Sequence, residues 1–349
     1  MTNKELLSLA QAQGTPIING ETVTFLWQGK KAPRLVGDFT DWESGKPAEM
    51  HKAGAGLWTY QITLPRDAYM EYTFMQGDQR LEDPLNPRRI TNGMGKFNQY
   101  FAMPGYQPTA LARFKPSLPH GVLTVHKVQP QGTAAGKQRT VYLYQPPVNT
   151  PVPLLVVWDG RDFYRRARLH VIVDNLIAQG RIQPIALAMV GNGKQARFLE
   201  YACNEATLAF LWTQVLPLAH QQLNLLGMGA AQGAYGMLGA SMGGLISLYL
   251  AVRAPHLFGR VISMSGAFSM DGHEMVVFDL LRHLPRLPLK LWLNVGQYDF
   301  SGLQIANQAM FALLQDKGYP FESRLYPAGH NYTAWRDDLG LALEYLYGV

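Results

Sequence analysis

A serine between two glycines at alternate positions is the clearest chemical signal in the sequence. The segment Gly239-Ala240-Ser241-Met242-Gly243 has the Gly-x-Ser-x-Gly spacing of a nucleophile elbow, a strained turn that exposes a serine hydroxyl between a strand and a helix. A Cβ at Gly239 or Gly243 is expected to collide with neighbouring backbone. Ser241 is therefore a candidate nucleophile for acyl transfer. A glycine-rich turn without chemistry is the alternative.

A general base for this serine is expected further along the chain. Four histidines follow Ser241, namely His256, His273, His283 and His330. His330 is preferred because it comes directly after a predicted strand at 321–326 and before a predicted C-terminal helix. A loop in that position can bring the imidazole to the serine. A structural histidine at a helix start is the alternative.

The acid that would orient this histidine is expected between the serine and His330. Asp299 follows a predicted buried strand at 289–295, where a loop leaves the carboxyl edge of the sheet. There it can orient the imidazole and stabilise its charged form. Asp271 and Asp279 are rivals in a less regular region. The alternative for Asp299 is a cap on the helix that follows it.

Backbone N–H groups that could stabilise an oxyanion are expected at two turns. One is the N–H of Met242, at the start of the helix after the serine. The other belongs to Gly160 or Arg161, in the turn after a predicted buried strand at 154–158; Gly160 is expected to permit a tight turn. No metal ion or other cofactor is expected to take part.

These residues need an alternating α/β chain to bring them together. Continuous apolar runs at 154–158 and 185–190 predict strands buried on both faces. The segments 169–178 and 204–226 have helical spacing, and the second is predicted to be kinked at Pro217. Buried strands that alternate with helices predict a mostly parallel sheet with helices on both faces.

The first third of the chain predicts an all-β structure instead. Short alternating stretches are separated by Gly, Pro and Asp clusters, at 23–27, 34–36, 58–64 and 69–75. This spacing predicts a small β-sandwich. A linker is expected between Pro104 and Pro119. The predicted domains are therefore a β-sandwich at 1–110 and an α/β domain at 120–349.

Composition narrows the classes of function. The formal net charge is +6, but Lys and Arg are scattered and no known nucleic-acid module is present. No nucleic-acid partner is therefore expected, and the charge favours an anionic small substrate. No signal peptide or membrane-spanning run is predicted. The one cysteine, Cys203, has no histidine nearby and is interpreted as a packing residue; no intrachain disulfide can form, so a cytoplasmic location is expected.

With these residues in view, the chain resembles the enterochelin esterase family, the hydrolases of catecholate siderophores, over nearly its whole length. In the first third the resemblance rests on Trp58, Tyr72-Thr73-Phe74 and Asp83-Pro84-Leu85-Asn86-Pro87-Arg88. In the remainder it rests on Trp158-Asp159-Gly160, Arg197 with Glu200, Gly239-Ala240-Ser241-Met242-Gly243-Gly244 and Gly329-His330-Asn331-Tyr332-Thr333-Ala334-Trp335-Arg336.

The resemblance implies a fold and a catalytic triad. The fold is an α/β-hydrolase with a doubly wound, mostly parallel sheet, preceded by an immunoglobulin-like, early-set β-sandwich. The triad is Ser241, His330 and Asp299. Two positions depart from the family's pattern: Asn331 stands where the family often has Asp, and Asp299 stands where members commonly have Glu.

The function implied is hydrolysis of a catecholate or trilactone siderophore such as enterobactin through an acyl-enzyme, with an anionic ferric siderophore as the small-molecule partner and no membrane partner. Substrate contacts are assigned to Arg161, Asp162, Arg197 and Trp335. One alternative is a carbohydrate esterase of feruloyl or acetyl-xylan type, or a general carboxylesterase, with Trp42 as a sugar platform; core packing is the preferred interpretation of Trp42. A non-enzymatic binding protein is a further alternative. The oligomeric state is not assigned.

Overall fold

The computed structural model describes residues 2–42, 44–93, 95–130, 138–229 and 232–349. These residues form two compact units. The first unit comprises Met1–Pro108 together with two short later segments, Gly296–Ser301 and Leu325–Ala334. The second unit comprises the rest of the chain, namely Thr109–Val295, Gly302–Arg324 and Trp335–Val349.

Antiparallel strands form two sheets in the first unit. One sheet has the order β1-β2-β5-β4, and the other has the order β3-β6-β9-β8 with β7 paired to β6. A helix, α1 (Asn3–Gln13), comes before them. The strands are β1 (Ile17–Asn19), β2 (Thr22–Gln28), β3 (Arg34–Gly37), β4 (His51–Gly54), β5 (Leu57–Thr63), β6 (Tyr69–Gln76), β7 (Gln79–Leu81), β8 (Arg89–Thr91) and β9 (Phe97–Ala102). The four predicted alternating stretches correspond to β2, β3, β5 and β6.

Side chains from both antiparallel sheets enter one hydrophobic core. Phe25 of β2 meets Tyr72 of β6 edge-on with ring centroids 4.9 Å apart, and it meets Phe101 of β9 at 5.6 Å. All three rings are fully buried. Aromatic pairs of this geometry add to the free energy of burial, so they help to join the two sheets.

An eight-stranded, mostly parallel sheet dominates the remainder of the chain, as the sequence predicts, and it fits the α/β-hydrolase fold. Its order is β10-β11-β13-β12-β14-β15-β18-β19, and β16 and β17 form a separate hairpin. Among the strand pairings from β10 to β18, β10 with β11 and β11 with β13 are antiparallel, and the others are parallel. The strands are β10 (Val122–Val128), β11 (Arg139–Gln145), β12 (Leu154–Trp158), β13 (Ala186–Val190), β14 (Tyr235–Ala240), β15 (Phe258–Met264), β16 (Ser269–Met270), β17 (His273–Glu274), β18 (Lys290–Gly296) and β19 (Phe321–Tyr326).

Helices connect these strands. Every residue of β12, β13 and β14 is buried, which explains why their sequences are continuous apolar runs. The helices are α2 (Gly160–Arg165), α3 (Leu169–Ala178), α4 (Arg197–Tyr201), α5 (Glu205–Phe210), α6 (Leu216–Gln222), α7 (Met242–Arg253), α8 (Val277–His283), α9 (Ser301–Asp316) and α10 (Tyr332–Tyr347). Among the described residues, none of the helices combines the length and the apolar character needed to cross a membrane.

The helix predicted at 204–226 differs from the prediction in two ways. A π-helical stretch, Leu211–Val215, separates α5 from α6, and Pro217 lies in the first turn of α6. Proline lacks the N–H that would continue the α-helical ladder, so the irregularity lies before it. The helix also ends at Gln222 because Val152 exchanges backbone hydrogen bonds of 3.1 and 2.9 Å with Asn224 and Leu226.

The packing of β12 yields a stability prediction. Leu155 is fully buried between β13 and β14, so Leu155→Ala is expected to reduce the free energy of unfolding by about 2–5 kcal/mol. Ile305, on α9, is 69% exposed, and Ile305→Ala should cost less than about 0.5 kcal/mol. Urea unfolding of both variants measures the difference, and equal losses would contradict the placement of Leu155.

Candidate active site

The backbone of Ser241 adopts a conformation that few residues adopt. Ser241 lies between the end of β14 and the first residue of α7, with φ 58° and ψ −125°. Its N–H donates to the Met264 carbonyl at 2.8 Å, and its own carbonyl accepts from the Ala267 N–H at 3.0 Å. These bonds to the end of β15 and the residues after it hold the strained turn in place. The Ser241 side chain is half-buried.

The glycines of the elbow are required to different degrees. A Cβ at Gly239 would overlap the carbonyl group of Gly243, as expected. The same expectation for Gly243 is wrong, because a Cβ there would meet only the Asp159 side chain at 3.2 Å and Trp158 Cβ at 3.6 Å. Gly244, which the sequence analysis did not single out, is the tighter position: its Cβ would lie 2.5 Å from Ser263 Oγ.

Asp299 and His330 form a hydrogen-bonded pair within the first unit. His330 Nδ1 lies 2.8 Å from Asp299 Oδ1, which also accepts the Phe300 N–H at 2.7 Å. The Asp299 side chain is fully buried and that of His330 is 17% exposed. With a carboxylate at Nδ1, the proton of a neutral imidazole stays on that nitrogen and Nε2 is left as the basic atom.

The rival histidines and acids have different surroundings. All five are exposed, and they are His256, His273, His283, Asp271 and Asp279. His256 stacks on Trp212, and Asp279 pairs with Arg282 at 3.4 Å. None of these contacts is an acid–histidine pair of the kind that Asp299 and His330 form.

Backbone hydrogen bonds fix the loops that carry this pair. The Gln297 N–H donates to the Tyr326 carbonyl at 2.8 Å, and the Tyr298 N–H donates to the Ala328 carbonyl at 3.2 Å. Asn331 precedes α10, and its Oδ1 accepts the Ala334 N–H at 2.9 Å. An Asn oxygen caps a helix as well as an Asp oxygen does, so Asn331 can hold the start of α10.

The turn after β12 differs in detail from the expected one. The residue with positive φ is Asp159, at 57°, and Gly160 is the first residue of α2. Gly160 is needed for a different reason: a Cβ there would overlap the Met189 carbonyl group of β13. The N–H groups of Gly160 and Arg161 lie in the first turn of α2, and that of Met242 lies in the first turn of α7, where N–H groups have no intrahelical acceptor.

Arg197 is engaged by a buried carboxylate. Its Nε and Nη2 lie 2.8 and 2.6 Å from the two oxygens of Asp159, and Nη2 also reaches the Ala240 carbonyl at 3.5 Å. Asn192 donates to the same carboxylate at 2.5 Å. Asp159, which the sequence analysis left without a role, thus links the α2 turn to the residue before Ser241. Its position directly after a buried strand was the available signal.

The other predicted substrate contacts lie in varied surroundings. Arg161 is exposed. Asp162 is half-buried and 3.5 Å from Arg166, and burial raises the pKa of its carboxyl. Trp335 is only 3% exposed, and its Nε1–H donates to Ser265 Oγ at 3.1 Å, which leaves little of its surface for a ligand. Arg161 is therefore the most accessible of these side chains.

Cys203 has the surroundings of a packing residue, as predicted. Its side chain is partly buried against the core of the α/β sheet. Burial raises the pKa of the Cys203 thiol to about 12, so the thiolate is scarce at neutral pH.

Comparison with known proteins relates the chain to esterases. A model of the family described as "Putative esterase" matches residues 132–346. The chain is 21% identical to an iron(III) enterobactin esterase of Dickeya dadantii, over 93% of this chain and 88% of that protein. It is 24% identical to an iron(III) salmochelin esterase of Escherichia coli O6:H1, over 97% and 92%. A crystal structure of ferric enterobactin esterase from Salmonella typhimurium has the same fold, with a TM-score of 0.78, 20% identity and 93% of each chain covered.

The elbow glycines yield a paired prediction. Gly239→Ala is expected to lower the free energy of unfolding by about 3 kcal/mol or more, since backbone must move to admit the methyl group. Gly243→Ala should cost about 1 kcal/mol, because a side chain can yield instead. Gly227→Ala, whose Cβ would meet nothing within 4 Å, is the control. Urea unfolding checks the order, and equal losses at Gly239 and Gly243 would contradict it.

Proposed function

This chain belongs to the esterase family, and from that premise we propose that it is a serine esterase that cleaves the ester bonds of a catecholate or trilactone siderophore such as enterobactin. In the proposed triad Ser241 is the nucleophile, His330 the general base and Asp299 the residue that orients the base. The observation that carries the ester chemistry is the strained backbone of Ser241 at the strand-to-helix turn, with φ 58°.

Strand order supports a meeting of Ser241 with the Asp299–His330 pair. β14, β15 and β18 lie side by side and parallel, so their carboxyl ends share one edge of the sheet. Ser241 follows β14 directly, and Asp299 comes three residues after the end of β18. His330 follows β19, which is the neighbour of β18. The proposal adds the contact between Ser241 Oγ and His330 Nε2.

Two helix starts support the proposed oxyanion hole. β12 and β14 are adjacent parallel strands, and α2 and α7 begin just after them. The N–H of Met242, and that of Gly160 or Arg161, would both donate to the developing oxyanion. The contact between Asp159 and Gly243 supports the closeness of these two turns, since a Cβ at Gly243 would lie 3.2 Å from Asp159 Oδ2.

The proposed reaction has two steps. Ser241 Oγ attacks the ester carbonyl carbon as its proton passes to His330 Nε2, and the resulting oxyanion is held by the backbone N–H groups. The tetrahedral intermediate then collapses and expels the alcohol, which takes the proton from His330 Nε2. The acyl group remains on Ser241 as an ester. Water then gives a proton to Nε2 and adds to the acyl carbon, and the acid leaves as Ser241 Oγ regains the proton. Asp299 stabilises the imidazolium in both steps.

Relatives and charge support a siderophore substrate. The two relatives carry the names iron(III) enterobactin esterase and iron(III) salmochelin esterase, and they align with 93% and 97% of this chain. Ferric catecholates are anionic, and the chain has a net charge of +6. Arg161 is the proposed cationic contact, because it is exposed in the first turn of α2. Arg197 would act mainly by holding Asp159.

The proposal includes the domains and the location. Two antiparallel sheets that share one core support an immunoglobulin-like sandwich at 1–110, followed by the α/β-hydrolase domain at 120–349. A sugar platform at Trp42 has less support, because its indole N–H bonds Asp38 at 2.9 Å and Arg80 covers its ring. A chain with one cysteine suits a reducing compartment, and we place it in the cytoplasm.

Loss of the nucleophile tests the ester chemistry. Ser241→Ala is expected to lower kcat for p-nitrophenyl acetate by about 10⁴-fold or more while the protein remains folded. A fluorophosphonate probe should label the wild-type protein at Ser241 and leave the variant unlabelled. Ser269→Ala, in the hairpin strand β16, is the matched control and should retain both activity and labelling. Unchanged turnover by Ser241→Ala would contradict the assignment of Ser241 as the nucleophile.

A substrate panel tests the siderophore assignment. The panel holds a trilactone siderophore with and without iron, a feruloyl ester and an acetylated sugar, and mass spectrometry follows the products. We expect the trilactone to gain one water for each ester cleaved, at a kcat/KM above that of the other esters. The Ser241→Ala variant gives the background. Cleavage of the sugar or feruloyl esters alone would favour the carbohydrate esterase instead.

A further inference from the structure

Three segments distant in sequence meet within the first unit. The loops that carry Asp299 and His330 belong to it, and so does the short turn after β3, residues 38–42, called here the positioning turn. The turn begins with a 3₁₀ helix, Asp38–Thr40, and continues through Asp41 and Trp42, both with positive φ.

Asp38 lies against the loop of His330. It is 3% exposed, and a Cβ at Gly329, the residue before His330, would overlap its carboxyl group and lie 2.6 Å from its Cβ. Two donors fix this carboxyl: the Glu71 N–H at 2.8 Å and the Trp42 Nε1–H at 2.9 Å. Because both oxygens are held, Asp38 presents a rigid surface to Gly329.

The same strand that fixes Asp38 also pairs with the loop of His330. Tyr69, the first residue of β6, donates its N–H to the Pro327 carbonyl at 3.1 Å and bridges to Ala328. Glu71 lies two residues further along β6. The loop is therefore held on its backbone by Tyr69 and beside Gly329 by Asp38.

Asp41 lies at the other loop. Its two oxygens accept the Ser301 N–H at 3.2 Å and the Ser301 hydroxyl at 2.7 Å. Ser301 is the first residue of α9, two positions after Asp299. A carboxylate at the start of a helix is favourable because the first N–H groups there lack intrahelical acceptors. Asp41 thus fixes the end of the loop that carries the acid.

The carboxyl groups of Asp38, Glu71 and Asp299 are close enough for their negative charges to repel one another. Burial, followed by the neighbouring Glu71 carboxylate, raises the pKa of Asp38 well above its ordinary value. A raised pKa reduces the negative charge that Asp38 would otherwise place beside Asp299. Asp38 can therefore pack close to the acid–histidine pair without competing strongly with Asp299 for the positive charge of the imidazolium.

We propose that the positioning turn sets the geometry of both loops: Asp38 fixes His330 through Gly329, and Asp41 fixes Asp299 through Ser301. Asp38 and Asp41 are positioning residues, since each acts through another residue. The consequence for catalysis rests on the proposed function above, while the consequence for the position of the imidazole does not.

A double-mutant cycle tests the contact between Asp38 and Gly329. Gly329→Ala is expected to lower kcat about 100-fold with KM little changed, because a displaced base loses its alignment. Asp38→Ala alone should lower kcat about 10-fold. In the double variant the carboxyl group is gone and only the Cβ of residue 38 remains, 2.6 Å from the new methyl group, so the loss in kcat should be smaller than the product of the two single losses. A double variant whose loss equals the product of the two single losses would overturn the contact.

A second double-mutant cycle tests the contact between Asp41 and Ser301 in the loop that carries Asp299. Asp41→Ala and Ser301→Ala are each expected to lower kcat a few-fold, with KM unchanged. Ser301→Ala removes only the bond from the hydroxyl, whereas Asp41→Ala removes that bond and the one from the Ser301 N–H, so the double variant should lose no more than Asp41→Ala alone. Additive losses, or unchanged kcat in all three variants, would overturn the role given to Asp41.

The imidazole signals of His330, recorded by ¹⁵N NMR of the full chain, provide a readout independent of activity. They should shift in Asp38→Ala and Gly329→Ala. Asp83→Ala is the matched control, since Asp83 is an equally buried carboxyl bonded to Thr15 and Tyr72 at 2.7 Å. It should lower Tm and leave the imidazole signals and kcat unchanged; equal shifts in Asp38→Ala and Asp83→Ala would overturn the proposal.

The same spectra separate this inference from the proposed function. A wild-type protein that hydrolyses no ester and takes no fluorophosphonate label would refute the esterase assignment. The imidazole shifts would still decide whether the positioning turn holds His330.

Discussion

The backbone of Ser241 is the constraint on which the remaining structure depends. A non-glycine residue with φ 58° and ψ −125° costs of order 1–3 kcal/mol, and surrounding contacts must offset that cost. The offset comes from the bonds of Ser241 to Met264 and Ala267 and from the close approach of Gly239 to Gly243. The bond to Met264 requires β14 and β15 to lie side by side, so the pairing of these two strands helps to hold the turn.

Two buried carboxylates, Asp159 and Asp299, are stabilised in different ways. Asp159 is paired with Arg197 through two hydrogen bonds and with Asn192 through a third. The guanidinium of Arg197 stays charged across the physiological pH range, so it does not lose or gain a proton during a reaction. Asp299 is paired with His330, whose charge can change during a reaction. The pairing of Asp159 with Arg197 suits a fixed structural contact, and the pairing of Asp299 with His330 suits a group that gains and loses a proton.

The sequence predicts the local parts of this arrangement and misses the distant ones. The elbow, the strands at 154–158 and 321–326, and the order of Ser241, Asp299 and His330 follow from spacing and periodicity. The bond between Asp41 and Ser301 joins residues 260 positions apart, and no local pattern indicates it. Likewise, the early end of α6 depends on pairing of Asn224 and Leu226 with Val152, a tertiary contact that overrides helical spacing.

The grouping of the acid and histidine loops with the N-terminal strands has a consequence for modularity. The sequence predicts a separate β-sandwich at 1–110, followed by an α/β domain at 120–349. Yet Gly296–Ser301 and Leu325–Ala334 belong to the same compact unit as Met1–Pro108. A graft of residues 120–349 without residues 1–110 would therefore leave these two loops without the contacts that Tyr69, Asp38 and Asp41 make with them.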